Sequence, residues 1–175
     1  MSIEQEGKED KKNDGLDLFK KRIEDAIVTQ IFMELSVVKD NTRSLVLVTH
    51  GFIELLVNAL TDYYLKNSKK VTSDERSYPH SIKILLLNEL GIIEDNQYKV
   101  FDWFRKLRNK ATHQPIFYVT KNDLKNLSPK KFRDPKNFYN FCFEFMGGFW
   151  NQHIPIFRTK FAPGLGGEND EADGI

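Results

Sequence analysis

The chain has 175 residues, of which 40% are hydrophobic and 29% charged, with a formal net charge of +1. That is the composition of one soluble domain long enough to bury a core of several helices. The single cysteine, Cys142, excludes an internal disulfide, and the four scattered histidines have no cysteine pair near them, so no zinc spacing appears.

Residues 1–12 are of mixed charge without an apolar core, unlike a signal peptide or anchor. The longest apolar stretches are broken by His50, Glu54 and Asn58, so the chain reads as cytoplasmic rather than membrane-spanning. Residues 1–15 are charged and poor in apolar side chains, and 162–175 are Gly-rich and acidic, so both are expected to be flexible tails around a folded unit at 16–161. Within that unit, Phe19, Ile23, Ala26, Ile27, Ile31, Met33 and Leu35 recur at roughly helical spacing. Asp40 or Asn41 can cap a second helix from Thr42 to about Lys66, whose dense apolar set (Leu45, Val48, Phe52, Leu55, Leu56, Ala59, Leu60, Tyr63) marks it as central. Val46, Leu47, Ile53 and Val57 widen that surface beyond one stripe, which implies packing on two sides or a dimer interface.

The polar stretch 67–78 predicts a loop. Pro79 suits a helix start, and Ser81 to Leu90 forms a short apolar helix stopped by Gly91. Asp95 or Asn96 can cap a fourth helix with Tyr98, Val100, Phe101, Phe104 and Leu107 inward, ending before Pro115. A brief extended piece, Ile116 to Val119, and a lysine-rich connector lead to a last helix from Pro135 to about Gln152, carrying Phe138, Phe141, Cys142, Phe145, Phe149 and Trp150. Gly147 and Gly148 weaken it or admit a close neighbour. The expectation is an all-α bundle of about five helices, with 14 Phe and 6 Tyr requiring deep burial or a partner.

Charge is uneven. Between Lys99 and Lys136 eleven Lys or Arg face three acids, an excess of eight that suits a phosphate backbone, an acidic partner, or simply a solvated surface. Phe117, Tyr118 and Phe132 in the same stretch could stack on bases or anchor a loop to the core.

The fourth helix closes on Arg105-Lys106-Leu107-Arg108-Asn109-Lys110-Ala111-Thr112-His113. Helical spacing stacks Asn109 with His113, extends the polar stripe back through Arg105 and Asp102, and leaves Arg108 at its edge, within reach. Cleavage of RNA by its own 2′-hydroxyl needs a proton-moving group, which His113 offers, and a cation on the phosphate, which Arg108 offers. No metal or other cofactor is required. One histidine supplies an acid or a base but not both at once, so such a site would be completed by a two-fold partner. The structural alternative pairs Arg108 with Glu54 or another buried acid, has Asn109 bond a helix end and lets His113 cap the last carbonyls. Glu54 interrupts an apolar helix and is expected to meet a cation or helix end. His50, one turn before it, reads as a satisfied interior histidine, His80 as a helix-start residue and His153 as a helix-end residue.

The pattern Arg108-Asn109-x-x-x-His113, at the end of an aromatic-rich helix and after a helix carrying Glu54, resembles the signature of the HEPN superfamily. The likeness is nearest to its mannitol operon repressor (MtlR)-like branch, over Arg43 to Leu60, Ser81 to Ile93 and Tyr98 to His113. The resemblance implies a dimeric, HEPN-like helical bundle and a metal-independent endoribonuclease of toxin or defence type. Its catalytic residues would be Arg108, Asn109, His113 and Glu54, with Arg105, Lys106, Lys110, Lys130 and Lys131 on the RNA. The same resemblance implies the alternative of a non-catalytic transcriptional regulator or adaptor acting through protein contacts. The expected partners are a second copy of the chain, RNA, and an antitoxin or regulatory protein; no helix-turn-helix is recognisable, so direct base reading is not expected.

Overall fold

A computed structural model describes residues 29–161, which form eight α-helices, two 3₁₀ turns and no strand among the described residues. The described part of α1 spans 29–37. It is followed by α2 (Thr42–Tyr64), α3 (Ser68–Ser73), α4 (His80–Glu89), α5 (Asp95–His113), α6 (Lys121–Leu124), α7 (Phe138–Gln152) and α8 (Ile154–Phe161). The proposed tails at 1–15 and 162–175, and the first helix before residue 29, lie outside the described residues.

The central role of α2 is confirmed, as it packs against α3, α4, α5, α7 and α8. Asn41 caps it by accepting from the Ser44 N–H at 3.0 Å. Of the residues that widen the surface, Val46, Ile53 and Val57 are buried within the protomer and serve two-sided packing, while Leu47 is 36% exposed. Leu55 and Tyr63, expected inside, are 44% and 61% exposed. By length and hydropathy α2 could cross a bilayer, but 56% of its apolar window is buried inside the protein, as in the core helix of a bundle. In α1, Ile31 and Leu35 are buried four residues apart while Met33, half a turn away, is exposed.

The α4 terminus follows its glycine. Gly91 adopts φ 70°, its N–H donates to the Asn88 carbonyl at 2.8 Å and that of Ile92 to Leu87 at 2.9 Å, which closes the last turn in a Schellman motif. At the start of α5 the cap is Glu94, one residue before the expected Asp95, because Glu94 and Gln97 complete a reciprocal capping box. The aromatic faces of α5 and α7 then meet. Phe101 lies edge-on to Phe149 at 4.9 Å and Phe104 stacks on Phe141 at 6.0 Å. Full burial of each such ring contributes about 1.5–3 kcal/mol. Gly147 accepts a close neighbour, since a Cβ there would sit 3.4 Å from the Phe32 ring of α1.

Three helices were not legible as such. The polar stretch 67–78 contains the one-and-a-half-turn α3, which buries only Val71. Thr120 and Asp123 form a capping box that folds α6 after an irregular 116–119. The chain breaks at His153 and resumes as α8, with Pro155 in the first turn, where a missing N–H costs nothing.

Candidate functional site: a basic cleft between three helices

α2, α4 and α5 enclose an open cleft of about 250 Å³. His50 and Glu54 line it from α2, Arg105, Arg108 and Asn109 from α5, and Pro79, His80, Ser81 and Lys83 from the start of α4, with Glu75 on the preceding turn. The cleft exists because the inner side of α5, built on Phe101, Phe104 and Leu107, is buried, which turns the polar stripe of Arg105, Arg108 and Asn109 toward the N-terminal end of α4.

Of the residues expected to act together, Glu54, Arg108 and Asn109 meet at this cleft with Arg105. His113 does not line it; it is exposed at the end of α5. The bonds foreseen by the structural alternative are not formed. Arg108 donates to the Asn109 side-chain oxygen at 3.2 Å and has no ion pair with an acid among the described residues. Glu54 keeps 35% side-chain exposure and stands 3.9 Å from His50 Nδ1, beyond hydrogen-bond length, so the expected burial against a cation or helix end does not occur. The last carbonyls beyond α5 are held by Arg43, whose Nη2 donates to the oxygens of Gln114 and Pro115 at 2.7 and 2.8 Å, and not by His113.

The proposed RNA-contacting cations are differently placed. Arg105 and Lys106 both bond Asp102, at 2.8 and 2.6 Å. Burial pushes the Asp102 carboxyl up, but the hydrogen bonds from Lys106 and Arg105 outweigh it and hold the group below its usual range. Lys110 bonds Asp123 at 2.6 Å and Lys131 bonds Glu144 at 2.9 Å, while Lys130 is exposed. The local positive excess is thus partly neutralised in three dimensions. Phe132 is 4% exposed and inside the core, so it is not available to stack on bases; Tyr118, at 67%, is.

Two residues read as structural stand out. His50 and His80 are 3% and 9% exposed, and their rings lie 5.1 Å apart. Among the described residues His50 Nε2 and both ring nitrogens of His80 have no hydrogen-bond partner, so His50 is an interior histidine but not one satisfied within the described protein. Burial first, and then the Arg108 and Arg105 guanidiniums, lower the His50 pKa to about 4. For His80, burial, His50 and Lys83 lead the causes that lower it to about 3. Lys83 is a third group that pattern reading passed over, hidden in an apolar run. It is 2% exposed and its Nζ donates to the Asn58 side-chain oxygen at 2.9 Å. Its one legible signal was a lysine on the inward side of an otherwise apolar helix.

Among the described residues no group of three His, Cys, Asp or Glu side chains is placed to hold a metal ion. Comparison with family models, curated proteins and solved structures finds no match.

Proposed function

We propose that the chain is a metal-independent endoribonuclease of HEPN type that cleaves RNA phosphodiesters at a site completed by a second protomer. The observation that carries this reading is Arg108. It lines an open cleft together with the part-exposed Glu54, and its guanidinium has an amide oxygen and, among the described residues, no carboxylate as partner. A guanidinium left free of acids is suited to a phosphate, on which two N–H groups can close. In this reading Arg108 stabilises charge on the phosphorane oxygens, Asn109 fixes the guanidinium, and the exposed His113 moves a proton at the 2′-oxygen or the leaving 5′-oxygen. A second His113 from a partner supplies the complementary step. The dimer would form on α2, where Leu47, Gly51 and Leu55 are exposed at four-residue spacing on one face.

The test is cleavage of single-stranded RNA by the purified chain in excess chelator. Arg108→Ala and His113→Ala should each lower the rate at least about 100-fold, the range of a lost acid–base or charge-stabilising group, with melting unchanged. Wild-type rates in both variants would sink the assignment.

One observation favours a second reading. His113 is separated from the cleft lining, and this suits a non-catalytic regulator or adaptor of MtlR-like kind, binding an antitoxin or regulatory protein. It predicts no RNA product from wild type and no change in that result when His113 is replaced.

A further inference from the structure

The closed end of the cleft holds groups that cleavage by Arg108 and His113 does not use. α4 is ten residues long and begins after Pro79 with no side chain capping its first turn. Pro79, His80 and Ser81 line the cleft, so the first N–H groups of α4 and the positive end of its dipole lie at the cavity, the arrangement that binds anions at helix starts. Independently, His50 and His80 are more than nine-tenths buried and line the same cavity, and His50 Nε2 and both His80 ring nitrogens have no partner among the described residues. Lys83 and Arg108 bring positive charge to it without an acid partner among the described residues, and Arg105 does so while sharing Asp102. A cation is disfavoured by these three groups and by the lack of a three-ligand set. At about 250 Å³ the cavity is smaller than drug-sized sites, so its occupant is small.

We propose that this cleft binds a tetrahedral oxyanion, a phosphate or phosphoryl group, at the N-terminus of α4, with Arg108 and Lys83 as counter-charges and the imidazoles of His50 and His80 as donors on its floor. The site stands whether or not the chain cuts RNA. Binding also moves protons. His50 faces Glu54 on its own helix, His80 faces Lys83 on its own, Arg105 and Arg108 face both from α5, and Glu75 lies on the turn before α4. Burial first, and then the neighbouring cations, keep both rings neutral; a bound anion offsets the cations' share, so each ring gains affinity for a proton and the anion binds more tightly as pH falls from 8 to 6.

Isothermal titration of the full chain with sulfate, whose charge is constant over this range, tests the proposal. One saturable site is expected, at least about threefold tighter at pH 6 than at pH 8, with net proton uptake shown by titration in buffers of different ionisation heat. Arg108→Gln should weaken it at least about tenfold, and His80→Gln should flatten the pH dependence. Glu75→Gln, on the exposed wall, should tighten binding, and it decides the matter if His80→Gln fails to fold. No saturable binding by wild type, binding indifferent to Arg108→Gln and His80→Gln, or an unchanged affinity in Glu75→Gln overturns the site. Inorganic phosphate, a nucleoside 5′-monophosphate and a single-stranded RNA oligonucleotide, used as competitors, identify the source of the phosphoryl group by which displaces sulfate best; displacement by none of them also overturns it. A chain that binds sulfate but cuts no RNA ends the nuclease reading alone, and one that cuts RNA without binding sulfate ends this one alone.

Discussion

At the scale of single residues, His50 and His80 are the side chains whose chemistry the fold alters most. Both are buried, and their pKa values drop from 6.5 to about 4 and about 3. The unfolded chain therefore binds more protons than the folded one between those values and 6.5, so the stability present above pH 6.5 is lost as pH falls through this window. At about 1.4 kcal/mol per pKa unit, the melting temperature should decline steadily between pH 7 and pH 4.5, above the range in which Asp102 and Asp123 take up protons. In His80→Phe that decline should be visibly shallower; equal slopes would show that the ring is not held neutral. Neither histidine was legible as a partner of the other, because thirty residues and the intervening α3 separate them and no periodicity reports a contact between elements. What spacing did reveal was the stripe on one helix, Arg105 with Asn109, and both reach the cleft. His113 is on the same stripe but falls one turn past the cavity, a difference of about 6 Å that a helical wheel does not display.

At the scale of elements, α5 separates a packing face from a polar one, and its far end is held from outside. The guanidinium of Arg43, at the start of α2, satisfies the oxygens of Gln114 and Pro115 and lies 5.9 Å from the Phe117 ring. The turn that carries His113 is thus tied to α2 by an arginine, in addition to its own bonds from the Thr112 hydroxyl and the Gln114 N–H. Arg43→Ala should leave global melting nearly unchanged but raise amide hydrogen exchange at residues 110–114 by at least about tenfold, since it removes both charge-assisted bonds from the guanidinium. Unaltered exchange there would show that α5 holds its own end. The helices beginning near Thr42, Ser81 and Asp95 were readable because each carries an apolar set and a cap or stop residue, whereas the last, expected from Pro135, begins at Phe138 because Pro135–Asn137 form a 3₁₀ turn. α3 and α6 were not, since a single turn with one buried residue leaves no period, and α8 was hidden by Pro155, which stops one helix and starts the next with the same ring.

At the scale of the whole molecule, the basic segment between Lys99 and Lys136 shows how a linear charge count differs from a surface. Asp102 takes two of its cations, Asp123 takes Lys110, and Glu144, outside the segment, takes Lys131. The apolar residues left outside are as informative as the charges. Leu47 and Leu55 flank Gly51 on α2, one helical step from Glu54, so a second copy seated there would border the cleft. Leu55→Glu should convert a dimer to a monomer in sedimentation while retaining the helical circular dichroism, and RNA cleavage should fall with it. A variant that remains dimeric would move the interface elsewhere.

Lys83 has a consequence of a different kind. It is the one lysine buried among the described residues, wedged between α4 and α2 by its bond to Asn58. An acylating reagent meets every other described lysine at the surface, whereas this amine is 2% exposed at the cleft and bonded to Asn58, so it reacts fully only when that bond opens. The rate at which Lys83 is modified is therefore a clock for the opening of the cleft floor, readable by mass without a bound ligand, and any occupant of the cavity would slow it.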